Sequence, residues 1–189
     1  PEHVHFLLGE STVGVIPEVR GNSVPHDLIL DDQASDFSAA VSALKITLDL
    51  ANLDEPTRSV QLVSSTPGEG RAALAVALAR VVAAEGHKVL LVSAHLRDST
   101  IEEKVGVAVG TPGLTDLVLS EQQDLDSFLQ QDHRSSVQLL SAGTAEYANP
   151  DVVFSSQRMQ ALMNSMRERF DFIIFDTPPV MSAADAIAI

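Results

Sequence analysis

The stretch of sequence that decides the fold is Val63-Ser64-Ser65-Thr66-Pro67-Gly68-Glu69-Gly70-Arg71-Ala72-Ala73. Its pattern is that of a phosphate-binding loop, which reads G-x-x-x-x-G-K-[ST] and surrounds phosphate oxygens with backbone amides. In such a loop the lysine binds the β and γ oxygens and the hydroxyl binds Mg²⁺. Arg71 stands at the lysine position, where its planar guanidinium does not freely replace a compact ammonium. Ala72 stands at the hydroxyl position, and a methyl group cannot bind a metal. The candidate nucleotide-binding residues form this degenerate loop: Pro67, Gly68, Glu69, Gly70, Arg71 and Ala72.

Strand and helix signals alternate along most of the chain, which indicates an α/β fold with a parallel sheet. Short apolar runs predict strands at Val13–Ile16, Val60–Ser64, Lys88–Val92, Val137–Leu140 and Phe172–Phe175. Helical patterns cover Phe37–Leu50, Arg71–Ala84, Leu125–Gln131 and Ser156–Arg169. Continuous apolar strands of this kind suit burial on both faces of the sheet. The segment Arg20–Gln33 has turn residues and no clear period, so we interpret it as a surface connection.

Composition limits the classes of function. The chain has 189 residues, of which 45% are hydrophobic, enough for one sizeable core. It has no cysteine, which excludes disulfides and thiolate zinc sites. No apolar run reaches the roughly 20 residues that span a bilayer. Twelve basic and 26 acidic residues give a formal net charge of −14, which disfavours binding to nucleic acid and direct insertion into or binding to a membrane.

Several segments occur together in one order: Val13-Gly14-Val15-Ile16-Pro17, the loop from Ser64 to Gly70, Lys88-Val89-Leu90-Leu91-Val92, and Phe172-Ile173-Ile174-Phe175-Asp176-Thr177-Pro178-Pro179. In these segments the chain resembles the cytoplasmic domain of bacterial tyrosine kinases, a family fused to or paired with chain-length regulators of exopolysaccharide and capsule export. The resemblance implies a P-loop NTPase-like fold of the MinD and ParA type, with three layers and a mainly parallel sheet. It also implies that the C-terminal part of this fold is missing from the sequence, which ends in a predicted helix at Ala183–Ile189.

The same resemblance divides the chain, which we expect to form one domain. Residues 1–58 correspond to an N-terminal strand, a loop and an assembly-type helix. Residues 59–189 correspond to the nucleotide-fold core. On the helix the family carries E-x-x-R-x-x-R, a face used for ring assembly, whereas this chain has Ala39, Ser42 and Lys45. Only one charge of that face survives, and ring formation is therefore doubtful.

A second family motif is also altered. After the strand that follows the loop helix, the family reads D-x-D-L-R, and its two aspartates organise the metal and the attacking hydroxyl. This chain has Ser93 and His95 at those positions. The family's tyrosine-rich tail is absent as well, and Tyr147 is the only tyrosine of the chain.

One carboxylate of the family's metal site remains. Asp176 matches the Walker B aspartate and is the residual candidate for catalysis and metal binding, at the strand end where open α/β sheets bind ligands. The alternative is that Asp176 caps the following turn through an Asx-type hydrogen bond.

Two other features have plain interpretations. His87 and His95 are expected at opposite ends of one strand, and Glu102-Glu103 is interpreted as a solvated helix start.

Taken with the resemblance, these losses predict a catalytically impaired, pseudokinase-like domain that scaffolds or regulates exopolysaccharide biosynthesis and export. They predict no bound cofactor, with ATP or ADP and Mg²⁺ as the alternative. The implied partner is a transmembrane polysaccharide co-polymerase or chain-length regulator, at the cytoplasmic face of the bacterial inner membrane, with homo-oligomers as a further option. Two other functions stay open: an active ATP-dependent tyrosine autokinase with tyrosines beyond Ile189, and a ParA- or MinD-type ATPase. The loop Pro67–Gly70 and the segment Val13–Pro17 argue against the ATPase.

Overall fold

The computed structural model describes residues 12–51, 57–120, 124–145 and 149–180. Its helices are α1 (Leu28–Asp31), α2 (Asp36–Leu50), α3 (Arg71–Ala84), α4 (Thr100–Val105), α5 (Leu114–Leu119), α6 (Pro150–Phe154) and α7 (Gln157–Arg169). Its strands are β1 (Ser59–Leu62), β2 (Val89–Ser93), β3 (Leu129–Gln131), β4 (Gln138–Leu140) and β5 (Phe172–Asp176). Short 3₁₀ turns at Pro25–Asp27 and Leu125–Phe128 precede α1 and β3. Within these residues, no helix combines the length and the hydrophobicity needed to cross a membrane.

The strands form one sheet in the order β1-β5-β2-β4-β3. The first three neighbouring pairs are parallel, and β3 pairs with β4 in the antiparallel direction. The register places Asp176 opposite both Leu62 of β1 and Ser93 of β2. The carboxyl ends of β1, β5 and β2 therefore meet at one edge, next to the loop that follows β1. This is the edge at which parallel α/β sheets bind ligands.

Helices cover both faces of the sheet, because alternate strand residues point to opposite sides. On one side Val89, Leu91 and Ile174 pack with α2, α3 and α4. On the other side Leu90 and Ile173 pack with α5, α6 and α7. Every residue of β2 and β5 is buried. The three-layer α/β fold with a mainly parallel sheet is confirmed, and double-sided burial explains why these strands are continuously apolar.

The longer helices begin and end where their sequences indicate. Ser35 caps α2 by accepting a hydrogen bond at its Oγ from the amide of Ser38 (3.3 Å), and Ser156 caps α7 in the same way with the amide of Met159 (3.0 Å). Gly86, with φ +93°, follows α3 as a left-handed terminator. The predicted helices at residues 37–50, 71–84 and 156–169 are confirmed, as are the four predicted strands from Val60 onward.

Two predicted elements are wrong, and a third is not described. Val13–Ile16 is not a strand: Val13 and Val15 are exposed, and the segment pairs with no strand among the described residues. Of this apolar segment, Ile16 is partly buried and packs against the core. Leu125–Gln131 is a 3₁₀ turn followed by β3, because pairing with β4 competes successfully with the amphipathic helical pattern. The predicted helix at Ala183–Ile189 lies outside the described residues, as does Tyr147.

The segment Arg20–Gln33 is more ordered than a surface connection. It contains the 3₁₀ turn and α1, with His26 and Ile29 buried. Arg80 of α3 donates to the backbone carbonyl of His26 (3.0 Å) and to Asp27 (2.7 Å). A buried cation on the core helix therefore fixes this segment, and its local sequence could not indicate that contact.

Gly113 precedes α5 in a place without room for a side chain. A Cβ atom there would lie 2.0 Å from the backbone oxygen of Ser141, which accepts the amide of Leu114 (2.8 Å). We expect Gly113→Ala to lower the free energy of unfolding by about 1–3 kcal/mol, as overpacking does. Urea unfolding measures this change. Gly14→Ala is the matched control, because its Cβ would meet only Leu44 at 3.9 Å. Equal stability of the two variants would contradict the prediction.

Candidate nucleotide site

The loop between β1 and α3 keeps the backbone of a phosphate loop. Gly68 and Gly70 have φ values of +88° and +81°, in the left-handed region that favours glycine. Open space surrounds both positions, so the backbone conformation rather than crowding requires glycine. Gly70 is the N-cap of α3, whose first residue is Arg71. The amino end of a 14-residue helix therefore points at the cleft.

Glu69 holds the loop in shape from within. Its carboxylate accepts hydrogen bonds from the amide and hydroxyl of Ser65 (3.0 and 2.9 Å) and from those of Thr66 (3.3 and 2.9 Å). The hydroxyl hydrogen bonds from Thr66 and Ser65, with the amide bonds, lower the pKa of Glu69. The loop is thus preorganised by its own carboxylate.

Arg71 and Asp176 form an ion pair at the base of the cleft, between Nη1 and Oδ1. The side chains are 10% and 2% exposed. Burial raises the pKa of Asp176 to about 7 in spite of Arg71, and the negative charges of Asp98 and Glu102 add to the rise. The turn after Asp176 is held by Thr177, whose amide and hydroxyl donate to the carbonyl of Leu62 (3.2 and 2.9 Å). Asp176 therefore faces the loop's cation, and its assignment as the Walker B aspartate stays a prediction.

The positions that would bind Mg²⁺ do not fit that ion. Ala72 is buried and offers no oxygen. Ser93 is buried, and its hydroxyl lies 3.4 Å from a carboxylate oxygen of Glu102, to which it donates. Asp176 is already paired with a guanidinium. In the part of the chain that the structure describes, no group of three or more His, Cys, Asp or Glu side chains could hold a metal.

Glu102 is the residue that the sequence interpretation placed wrongly. It lies in α4, but it is 3% exposed rather than solvated. Its second carboxylate oxygen accepts the amide of Ala142 (2.9 Å), so it joins the ends of β2 and β4. The adjacent Glu103 is exposed, as expected. Only tertiary packing distinguishes the two neighbours, and no local signal could have done so.

A His–Asp pair lines the opposite wall. Nδ1 of His95 lies 3.2 Å from Oδ2 of Asp98, and Asp98 accepts the amide and hydroxyl of Thr100 (3.1 and 2.5 Å). Burial alone would raise the pKa of Asp98, but the Thr100 hydrogen bonds and the charges of His95 and Arg71 lower it. His87 lies at the other end of β2, so the predicted separation of the two histidines is confirmed.

The loop and this wall enclose a cleft of about 350 Å³, to which Lys104 also contributes. This volume is near the lower end of the range of small-molecule sites. Sequence analysis found the loop and Asp176 but missed Asp98 and Lys104. A larger cleft of about 620 Å³ lies at the opposite end of the strands, next to Lys88, and shares no residue with the loop.

The three assembly positions lie on α2, away from the cleft. Ala39 and Ser42 are exposed. Lys45 is buried and pairs with Asp49 (2.6 Å) and Glu85 (2.8 Å). Burial alone would lower the pKa of Lys45, but its hydrogen bonds to these carboxylates raise it. The single charge that survives on the assembly face is therefore used inside this chain.

Comparison with known proteins agrees with this geometry. The family described as AAA domain matches residues 57–189. The tyrosine-protein kinase YwqD of Bacillus subtilis is 31% identical over 168 residues, which cover 88% of this chain and 70% of that protein. The putative tyrosine-protein kinase EpsB of Ralstonia solanacearum is 30% identical, but the match spans only 19% of its length.

Solved structures agree as well. The kinase domain of the Escherichia coli tyrosine kinase ETK superposes with a TM-score of 0.87 at 25% identity, covering all of this chain and 76% of that one. The septum site-determining protein MinD of Pyrococcus horikoshii shares the fold, with a TM-score of 0.57 at 23% identity, over 70% of this chain and 53% of its own. The chain therefore belongs to the family of bacterial tyrosine-protein kinases, and residues 57–189 are its AAA domain.

Proposed function

We propose that this domain is a catalytically impaired tyrosine-kinase-like module that scaffolds or regulates exopolysaccharide biosynthesis and export. The observation that carries the proposal is the buried ion pair of Arg71 with Asp176 beside the methyl group of Ala72. The phosphate loop keeps its backbone conformation. However, the cation of the loop, Arg71, is paired with Asp176, the carboxylate that matches the metal-binding aspartate of the family.

The chemistry of phosphoryl transfer supports this proposal. Catalysis rests on positioning and on positive charge from Mg²⁺ and a lysine, which stabilise negative charge spreading over the transferred group. Three of the four metal and base positions have lost their oxygen ligands or carboxylates: Ala72, Ser93 and His95. Losing one preorganised electrostatic contact costs about 2.7–4 kcal/mol of transition-state stabilisation. Several simultaneous losses leave little rate, even if they are not additive.

The proposed partner is a transmembrane chain-length regulator, with the domain at the cytoplasmic face of the bacterial inner membrane. The matching segment makes up only 19% of EpsB, which supports a domain that works together with other domains or chains. The formal net charge of −14 supports a protein partner rather than nucleic acid or anionic lipid. Any homo-oligomer would use contacts other than a charged α2 face, because Lys45 is paired within its own chain.

Phosphotransfer from ATP with Mg²⁺ to a tyrosine-containing peptide tests the catalytic part of the proposal under single-turnover conditions. We expect the rate of the wild-type protein to equal that of Asp176→Asn. A rate within the usual kinase range of about 1–100 s⁻¹, abolished by Asp176→Asn, would overturn the proposal and favour the active autokinase. ATP hydrolysis without any peptide phosphorylation would favour the ParA- or MinD-type ATPase.

A restored variant gives this assay a positive control. Arg71→Lys, Ala72→Ser, Ser93→Asp and His95→Asp return the family's side chains. Ser93→Asp alone would place a second buried carboxylate against Glu102, so the set also includes Glu102→Gln. We expect this variant to exceed the wild-type rate, and the same set with Asp176→Asn to lose the gain.

A further inference from the structure

The cation site of this phosphate loop is filled by the chain itself. We propose that the guanidinium of Arg71 takes the place of the divalent cation beside Asp176, so that the wild-type site binds no divalent metal ion and removal of Arg71 opens one. The proposal deepens the proposed function and rests on the same pair of residues. It is tested by metal binding alone, without nucleotide or phosphotransfer.

The charges around Asp176 explain why a cation is needed there. Asp176 is 2% exposed, and Asp98 and Glu102 are near enough to disfavour its ionised form. A buried carboxylate with like charges nearby is unstable unless a positive charge neutralises it. Arg71 lies on the first turn of α3 and supplies that charge without any ligand.

Arg71 competes with a metal ion for this carboxylate. Mg²⁺ requires near-octahedral oxygen ligands at about 2.0–2.1 Å. The Oδ1 atom of Asp176 is in contact with the Nη1 atom of Arg71, which occupies the approach to that oxygen. The next helix residue, Ala72, contributes no hydroxyl, and the hydroxyl of Ser93 is turned to Glu102. A guanidinium is always charged, so Arg71 occupies this position as a cation across the physiological pH range.

Removing the guanidinium would leave the carboxylate of Asp176 without a positive charge beside it. The negative charges of Asp98 and Glu102 would still act on that carboxylate. Asp98 lines the cleft together with Gly68 and Gly70. Mg²⁺ and Mn²⁺ are commonly held by one or two carboxylates, with water completing the shell. Arg71→Met removes the charge and keeps an unbranched apolar stem, so it opens the space while preserving most of the packing.

Mn²⁺ binding, measured by electron paramagnetic resonance of the free ion, tests the proposal. We expect no binding by the wild-type protein at millimolar Mn²⁺ and at least about tenfold tighter binding by Arg71→Met, a difference of 1.4 kcal/mol or more. Adding Asp176→Asn to Arg71→Met should abolish the gain. Arg97→Ala is the matched control, because Arg97 is an exposed arginine that lines a neighbouring cleft with Asp98 and is not paired with Asp176.

Two results would overturn the proposal. The first is Mn²⁺ binding by the wild-type protein that Asp176→Asn removes, since the metal would then coexist with Arg71. The second is folded Arg71→Met, judged by circular dichroism, that binds no more Mn²⁺ than the wild type. Should Arg71→Met not fold, Arg71→Gln provides the same loss of charge with a polar side chain, and the same comparison applies.

Discussion

Arg80→Ala is expected to lower the free energy of unfolding by about 3–5 kcal/mol, the usual effect of breaking a buried ion pair from one side. The Arg80 side chain is fully buried in the middle of α3. Its Nε and Nη2 atoms donate to the two carboxylate oxygens of Asp132 (2.8 and 2.9 Å), and Nη1 donates to Asp27 (2.7 Å). The variant leaves Asp132, also buried, without its main partner.

The size of the effect follows from the position of Arg80 in the fold. Arg80 ties the helix that begins at the phosphate loop to the 3₁₀ turn before α1 on one side and to the turn after β3 on the other. Burial alone would raise the pKa of Asp132, but hydrogen bonds from Arg80 and Ser135 lower it. Losing Arg80 removes that compensation while the desolvation of the carboxylate remains. Arg80→Lys keeps the charge but not the two-pronged geometry, and should fall between the wild type and Arg80→Ala.

Urea unfolding at pH 7 measures the change, with Arg167→Ala as the matched control on the exposed part of α7. The control should change stability by no more than about 0.5 kcal/mol. Arg80→Ala combined with Asp132→Ala should cost less than the sum of the single changes, because the second removes the orphaned carboxylate. Strict additivity of the two changes would mean that the pair does not act as a unit.

The sequence predicted the sheet and the loop because their signals are local. An apolar run such as that of β5 needs no partner to be recognised, and glycines at 68 and 70 indicate the loop directly. The Arg80 network is different. Arg80 lies in an alanine-rich helix, where an arginine suggests an exposed position, and its partners Asp27 and Asp132 are more than fifty residues away. Charges buried by tertiary contacts leave no periodic pattern.

In the candidate site, too, local signals were predicted from the sequence and tertiary contacts were not. Loop chemistry and strand ends predicted Arg71 and Asp176, but not that these two side chains pair with each other. Glu102 was misread because a carboxylate on the first turn of a short helix usually faces water. The strand predicted at Val13–Ile16 failed because a strand requires a partner, and apolar residues at the edge of a core can be buried without one.

Asp176→Asn is expected to change how stability depends on pH, by about 3 kcal/mol between pH 5 and pH 8. The pKa of Asp176 is raised to about 7 in the folded protein from 3.8. Between these values the folded state binds more protons than the unfolded state, so this group contributes stability at low pH that is lost as pH rises through 7. One unit of pKa corresponds to 1.36 kcal/mol. The variant lacks this loss, so its stability relative to the wild type should increase with pH.

His26 acts in the opposite direction within the same interval. Burial and the charge of Lys104 lower its pKa from 6.5 to about 4, while Asp27 opposes and Arg80 reinforces the shift. Its contribution to stability is therefore present above pH 6.5 and lost as pH falls through 4. In the wild type the two groups largely offset each other, and we expect stability to fall by only about 1 kcal/mol from pH 5 to pH 8. In Asp176→Asn nothing offsets the contribution of His26, so the stability of that variant should rise by about 2 kcal/mol from pH 5 to pH 8.

Urea unfolding of both proteins at pH 5 and pH 8 measures the change. The stability difference between Asp176→Asn and the wild type is taken at each pH, and the two differences are compared. The contribution of His26 is the same in both proteins, so it cancels. Asp176→Asn also leaves Arg71 without its carboxylate, but arginine stays charged throughout this range, so that cost shifts the whole curve and not its slope. Asp32→Asn, at an exposed carboxyl group, is the control. If the gap between Asp176→Asn and the wild type were the same at both pH values, Asp176 would titrate as an ordinary carboxyl group. Arg71 would then neutralise it completely, and burial would not be the larger effect.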